Sequence, residues 1–211
     1  IVIGIVNSDE EAIEKINMEN EIRIVSTKVL SEDQKLPLLS ANFSVIDNDF
    51  IAIKFHNFSF EKLNDYLIFT SQNAVESVLL HKDKDQIKTK KAFCVGEKTK
   101  KLLEQNGFEV VLFSDYAAEL ASVIFNQYSK SSFTFFSGNL RRNILPDALQ
   151  LAQIKMDEIE VYQTVLTSHK VEARHNGILF FSPSAVESYL KENKIENKTC
   201  FCIGYTTAET L

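Results

Sequence analysis

Five short stretches place small polar residues where a β-rich run gives way to a helical pattern. They are Ser71-Gln72-Asn73, Gly96-Glu97, Ser137-Gly138-Asn139, Ser182-Pro183-Ser184 and Gly204-Tyr205-Thr206. Serine, asparagine and glycine at such a point cap a helix, because a side-chain oxygen or a bare backbone satisfies its first N–H groups. The same N–H groups, with the positive end of the helix dipole, hold anions. The spacing therefore offers two chemistries at once, capping and anion binding. Nothing in it resembles a phosphate loop, a dinucleotide fingerprint or a metal-ligand cluster.

Composition narrows the partners. The 211 residues carry a formal net charge of −6, so an anionic ligand must be held by local groups and not by the overall field. The mixed cluster Lys88–Lys91 is too short for a nucleic-acid footprint. No apolar run approaches the ~18 residues of a membrane span, and acidic residues follow Ile1–Val6, unlike a signal peptide. A soluble, cytoplasmic protein is expected. Cys94, Cys200 and Cys202 lie in apolar runs and read as strand residues in a reducing compartment. A Cys-x-Cys metal half-site at 200–202 stays open on geometry, because alternation points both thiols the same way. His56, His81, His169 and His175 show no triad or ligand spacing and read as surface or hinge residues. Asp47 and Asp49 read as a solvated turn.

Around these turns, β-rich runs alternate with helical patterns, the signature of α/β architecture with parallel strands. Strands are expected at 23–27, 50–55, 66–70, 91–95, 109–113, 133–136, 158–165, 177–181 and 199–203. Helices are expected at 32–41, 74–81, 98–106, 116–127, 142–152, 185–193 and from about residue 206. The strongest signal is an internal repeat. In LIFTSQNAVESVL (67–79) and ILFFSPSAVESYL (178–190), Phe69, Ser71, Ala74, Val75, Glu76, Ser77 and Leu79 recur as Phe180, Ser182, Ala185, Val186, Glu187, Ser188 and Leu190. KKAFCVGEKTKKLL (90–103) and KTCFCIGYTTAETL (198–211) follow in the same order, matching Gly96 to Gly204 and Thr99 to Thr207. Two similar domains are implied, each presenting two strand-to-helix turns at the carboxyl edge of its sheet, where α/β proteins bind ligands.

The order of the repeats suggests one domain inserted in another. Domain 1 is expected at 22–52 and 166–211, and domain 2 at 56–162. The crossings near 50–55 and 160–167 are β-like and suit a two-stranded linker. Residues 1–21 read as a strand, a Ser8 cap and a helix, an N-terminal extension of unknown role. The helix starting near Thr206 is expected to run past Leu211.

The stretches IFTSQNAVESV (68–78), FCVGEKT (93–99), FFSGNLRRNILPDAL (135–149), EIEVYQT (158–164), LFFSPSAVESYL (179–190) and CIGYTTAETL (202–211) together resemble the uroporphyrinogen-III synthase family. Each is short and degenerate; their order, spacing and duplication carry the likeness, which covers roughly residues 22–211. The resemblance implies two flavodoxin-like, HemD-like α/β domains with parallel sheets, joined by a two-stranded β linker, with the site in the cleft between them. It also implies the reaction. Hydroxymethylbilane, a linear tetrapyrrole with acetate and propionate chains, loses its terminal hydroxyl as water. Its last ring inverts through a spiro intermediate as the macrocycle closes. No metal or cofactor takes part. A monomer is expected, with a functional contact to the bilane-producing enzyme and no nucleic-acid or membrane partner.

Carried over residue by residue, the resemblance singles out Tyr162 in Val-Tyr-x-Thr. A phenol, with a pKa of about 10, is protonated at neutral pH and can donate to a departing hydroxyl. Thr207 is the second catalytic candidate. Thr206 and Thr207 match the family's Thr-Thr, with Thr99 as the repeat partner of Thr207. The substrate-binding candidates are Thr70, Ser71, Asn73, Gly96, Thr99, Ser137, Gly138, Asn139, Arg142, Ser182, Ser184, Gly204 and Thr206. Arg142 matches the arginine of the family's Gly-x-x-x-Arg stretch, where a guanidinium grips a propionate bidentately. Two positions depart from the pattern: Ser137 stands where many relatives carry Arg, and Glu97 would repel a carboxylate. Two other readings use the same turns. One is a non-catalytic module that closes on a small anion. The other is a flavodoxin-like FMN binder, which would be yellow.

Overall fold

The computed structural model describes residues 22–211. The chain divides into two compact units, one formed by the stretch ending at Ala52 with Leu166–Leu211 and the other by Ile53–Val165.

The first unit is built on β1 (Ile22–Ser26), β2 (Phe43–Asp47), β9 (Gly177–Phe180) and β10 (Thr199–Cys202), all parallel, in the order β10-β9-β1-β2. Its helices are α1 (Glu32–Ser40), α7 (Pro183–Glu192) and α8 (Tyr205–Ala208). Val25, Ile178 and Phe180 pack with Val186 and Tyr189 of α7 and with Phe50. Their alternate neighbours Ile24, Leu179 and Phe201 line an apolar groove with Ile22, Leu38 and Phe43 on the opposite face of the sheet.

The second unit holds six strands in the order β3-β8-β7-β4-β5-β6. These are β3 (Ile51–Phe55), β4 (Tyr66–Phe69), β5 (Lys91–Val95), β6 (Val110–Ser114), β7 (Phe133–Gly138) and β8 (Met156–Leu166). Strands β4 to β8 pair parallel. Apolar residues on both faces of β4 and β7 mark them as central, buried strands. Alternation then sorts the core. Leu67, Phe69, Ala92, Cys94 and Phe136 face α2 (Gln72–Leu80), α3 (Lys84–Lys88) and α4 (Glu97–Gln105). Ile68, Phe93, Phe133 and Phe135 face α5 (Ala117–Gln127) and α6 (Ile144–Leu151).

Strands β3 and β8 carry the chain from one unit to the other. They run antiparallel, because Thr167 N donates to Phe50 O at 3.0 Å while His56 N donates to Val161 O at 2.9 Å. The repeat is visible in detail. Ser71 and Ser182 cap α2 and α7, accepting from Ala74 N at 3.2 Å and Ala185 N at 3.1 Å. Ser77 and Ser188 are both buried and bonded, Ser77 to Val161 O and Ser188 to Ser168.

Four local expectations change. β2 was not expected; its residues are half-buried at a sheet edge and show no clean alternation. Asp47 and Asp49 are not a solvated turn: Asp47 accepts from Leu30 N and from Lys35 Nζ, and Asp49 from Val29 N. Burial pushes the Asp47 carboxyl up, but those bonds and the Lys35 charge outweigh it and hold it below the usual range. α3 was also missed, being five residues with Ile87 alone buried. His81 is no surface residue. It stacks on Phe58 at 4.2 Å with Nε2 against Phe58 O.

The three cysteines lie on strands β5 and β10 and are free. Among the described residues no group of three or more His, Cys, Asp or Glu is placed to hold a metal ion. No helix among them is long and apolar enough to cross a membrane. The expected extension at 1–21 lies outside the described residues.

Candidate active site

In the second unit the carboxyl ends of β4, β5, β6, β7 and β8 surround a groove of about 580 Å³. Thr70 and Ser71 enter it from the β4 end and Val95 from β5. Asp115 and Tyr116 come from the turn before α5, Leu140, Arg141 and Arg142 from the loop before α6, and Tyr162 from β8. Parallel strands put all these turns on one edge, so residues far apart in sequence converge there. The first amides of α2 lie at the same edge, and an α-helix leaves such N–H groups without intrahelical acceptors.

Tyr162 is half-buried. Its ring packs on the cluster around Phe69 and Phe136 and still reaches the groove. Two features set its position. The β7–β8 ladder slips between Ser137, opposite Glu160, and Gly138, opposite Tyr162, so one residue of β8 is left unpaired. A slip of this kind re-aims the side chains beside it. Gly138 then lies under the ring: a Cβ there would stand 2.5 and 2.7 Å from Cε2 and Cε1, and nearer still to Cζ.

The loop after β7 is tied to β8 twice. Asn139 N donates to Tyr162 O at 3.3 Å. Its side chain accepts from Thr164 N at 2.8 Å and donates to Thr164 O at 3.3 Å. Arg141 forms a fork on Glu158, Nε to Oε1 at 2.5 Å and a terminal nitrogen to Oε2 at 2.7 Å, and also contacts Asn143. Ser137 donates its hydroxyl to the same Glu158 Oε1 at 2.6 Å. The Arg141 bond, joined by Ser137 and the Arg141 charge, holds Glu158 below the usual carboxylate range against the opposing effect of burial. The Arg141 guanidinium is pushed up in turn by Glu158. Much of its charge is therefore spent within the protein.

The groove brings Thr70, Ser71, Arg142 and Tyr162 together, with Arg142 exposed on its wall. Ser137 and Gly138 are buried behind it, and Asn139 stands at the loop's base. Asn73, Gly96 and Thr99 sit at the same sheet edge outside the groove lining. Gly96 takes φ 88°, the left-handed region that favours glycine, and Thr99 is buried beneath it. In the first unit Ser182, Ser184, Gly204, Thr206 and Thr207 follow β9 and β10. Ser182 Oγ meets Ser184 Oγ at 3.0 Å, and Thr207 is buried while Thr206 is exposed. Gly204 has φ −170°, extended backbone open to any residue.

Sequence reading missed Asp115, Tyr116 and Glu158. Glu158 had no signal from alternation, because the slip before Tyr162 sets Glu158 opposite Phe135 and Tyr162 opposite Gly138, on different sides of β8. Asp115 and Tyr116 had none, because the β6–α5 turn lies outside the repeated blocks. A second cavity, of about 490 Å³ and lined by Lys170, His175, Tyr189 and Lys198, opens in the first unit. It lies beside the starts of β9 and β10, the sheet edge opposite the turns.

A family model described as uroporphyrinogen-III synthase HemD matches residues 37–211. A Saccharomyces cerevisiae protein named uroporphyrinogen-III synthase is 30% identical over 117 residues, 47% of this chain and 42% of the yeast protein. The chain thus matches less than half the length of that relative. The crystal structure of a uroporphyrinogen-III synthetase from Helicobacter pylori superposes with a TM-score of 0.69 at 21% identity, covering 89% of this chain and 86% of that one. A mutant uroporphyrinogen III synthase from Thermus thermophilus gives 0.61 at 12% identity, covering 90% and 87%. At such identities the two crystal structures speak for the fold alone.

Proposed function

Since the chain belongs to the uroporphyrinogen-III synthase family, we propose that it cyclises hydroxymethylbilane to uroporphyrinogen III with loss of water. The observation that carries this reading is the placement of Tyr162 in a largely apolar groove that Thr70, Ser71 and Arg142 also line.

The chemistry asked of these groups is modest. As the terminal C–O bond breaks, the Tyr162 O–H donates its proton to the departing hydroxyl, which leaves as water. The last ring, not yet inverted, bonds to the freed methylene through its substituted α-carbon and gives the spiro intermediate. The original bond from that carbon to the neighbouring ring's methylene then breaks and re-forms at the free α-carbon, which inverts the ring and closes the macrocycle, and the proton lost from that α-carbon restores the phenol. The bilane closes readily by itself, so the protein's main contribution is geometric. It holds the chain so that the last ring inverts on closure.

The carboxylates of the substrate suit the exposed Arg142 and the N-terminal amides of α2. Asn73, Gly96 and Thr99 at the same sheet edge are assigned to the same task, and Ser182, Ser184, Gly204, Thr206 and Thr207 form the corresponding turns of the other unit. Thr207, being buried, suits a supporting part more than direct contact. On this reading the enzyme works without a cofactor, as a cytoplasmic monomer that receives the unstable bilane from the enzyme that makes it.

The test is incubation of the protein with hydroxymethylbilane, followed by oxidation and separation of the porphyrin isomers. Mostly type III product is expected. Type I alone, the outcome of unassisted closure, would refute the assignment.

A further inference from the structure

We infer that Asn139 is a positioning residue for this reaction, acting through Tyr162 by locking β8 against the end of β7. This rests on the cyclisation proposed above and names a residue that serves it without touching the reacting atoms.

Strand β7 ends at Gly138, and the regular ladder with β8 has already slipped one residue before that point. Past the slip, a backbone bond of 3.3 Å from Asn139 N to Tyr162 O remains. The Asn139 side chain supplies what the missing strand would have given. Its carboxamide takes both peptide groups of Thr164, accepting at 2.8 Å and donating at 3.3 Å, as a neighbouring strand's backbone would. Tyr162 therefore lies between a break in the ladder and this clamp. Gly138 offers the ring a seat but no side-chain wall to hold it there. Without the carboxamide, β8 beyond residue 161 loses its tightest tie to β7, and the phenol is free to slide off Gly138. Asn139 is exposed and lies outside the apolar clusters, so its removal leaves the core intact.

A misplaced proton donor lowers turnover more than binding, because the carboxylates are gripped elsewhere. For Asn139→Ala, kcat is expected to fall about tenfold, with KM within about twofold and a larger share of type I isomer. Asn139→Asp keeps the acceptor for Thr164 N–H and should recover part of the loss. In a Tyr162→Phe background the Asn139→Ala change should add little, since its effect runs through the missing hydroxyl. Effects that simply multiply in the double variant would overturn the inference.

A readout independent of turnover separates this from the proposed reaction. With 3-fluorotyrosine incorporated, the fluorine resonance absent from Tyr162→Phe identifies residue 162. That resonance should shift in Asn139→Ala and move back toward its original place in Asn139→Asp. An unmoved resonance refutes the clamp even if the enzyme makes type III product. Type I product from the unaltered protein refutes the cyclase reading while the fluorine signal still judges the clamp. If Asn139→Ala does not fold, Asn139→Asp carries the comparison alone. Its loss of the Nδ2 donor should still shift the resonance from its place in the unaltered protein, and no shift would count against the inference.

Discussion

The ring of Tyr162 lies directly on the backbone of Gly138, in space that any side chain at 138 would fill. The glycine is needed here for close approach and not for an unusual backbone angle. Replacing it with alanine forces either the ring or β7 to move, and overpacking of this kind costs about 1–3 kcal/mol. Gly138→Ala is expected to unfold at lower urea than the unaltered protein and to lose type III product. Gly204→Ala is the control. Its backbone is extended, no atom lies within 4 Å of the added methyl, and its stability should change by less than about 0.5 kcal/mol.

Tyr162→Phe keeps the packing against Phe69 and Phe136 and removes the donor alone. Stability should hold while turnover of hydroxymethylbilane falls by roughly tenfold to a hundredfold, with KM little changed. Initial rates with separated isomers check this. Unchanged turnover would take the proton donor's role away from Tyr162.

The architecture was largely legible because it is written twice. Ser71 and Ser182, with Ala74 and Ala185 three residues on, announce the same capped helix in both units, and the structure shows the same bond in each. The runs of β4 and β7 read as strands of a parallel sheet because helical patterns alternate with them; their central, buried place shows only in the pairing. Where the repeat stops, the reading thins. β2 is a half-buried edge strand, and Asp47 beside it looked like a solvated turn until Leu30 N and Lys35 were seen on its carboxylate. The groove's furniture was harder still. Arg141, passed over in favour of Arg142, proves to be held by Glu158, a partner 17 positions away that no local pattern links to it. Asn139 was expected at a ligand; its carboxamide is spent on Thr164, a tie that exists only because β7 ends one residue earlier.

The Glu158 fork predicts a pH-dependent contribution to stability. Arg141, and then Ser137, hold the folded-state pKa of Glu158 below its unfolded value. A depressed carboxylate stabilises the fold above the unfolded pKa of about 4.3 and loses that contribution as pH falls through the folded value. The pair is about one-third exposed, so solvent screening keeps the effect to about 1 kcal/mol. Glu158→Gln should be less stable than the unaltered protein by that amount at pH 7. The gap should narrow below about pH 4.3, measured by urea unfolding across the range. A gap that stayed constant down to pH 3 would mean the fork adds nothing through its charge.

The cysteines give the last test, because their settings differ sharply while all three are free. Burial in the core cluster that also holds Phe69 and Leu103 pushes the Cys94 thiol up to about 12. The thiolate is the reactive form, so Cys94 is doubly protected, by its pKa and by lack of access. Cys200 and Cys202 are also raised by burial, but both are partly exposed on β10. A thiol-disulfide reagent at pH 8 should modify those two in the folded protein, more slowly than free cysteine, and reach Cys94 only on unfolding. The Cys94 rate therefore reports the opening of the second unit's core and should rise with urea in step with loss of helical signal. Rapid modification of all three thiols in the native protein would mean that the core around Phe69 and Leu103 is far looser than its packing indicates.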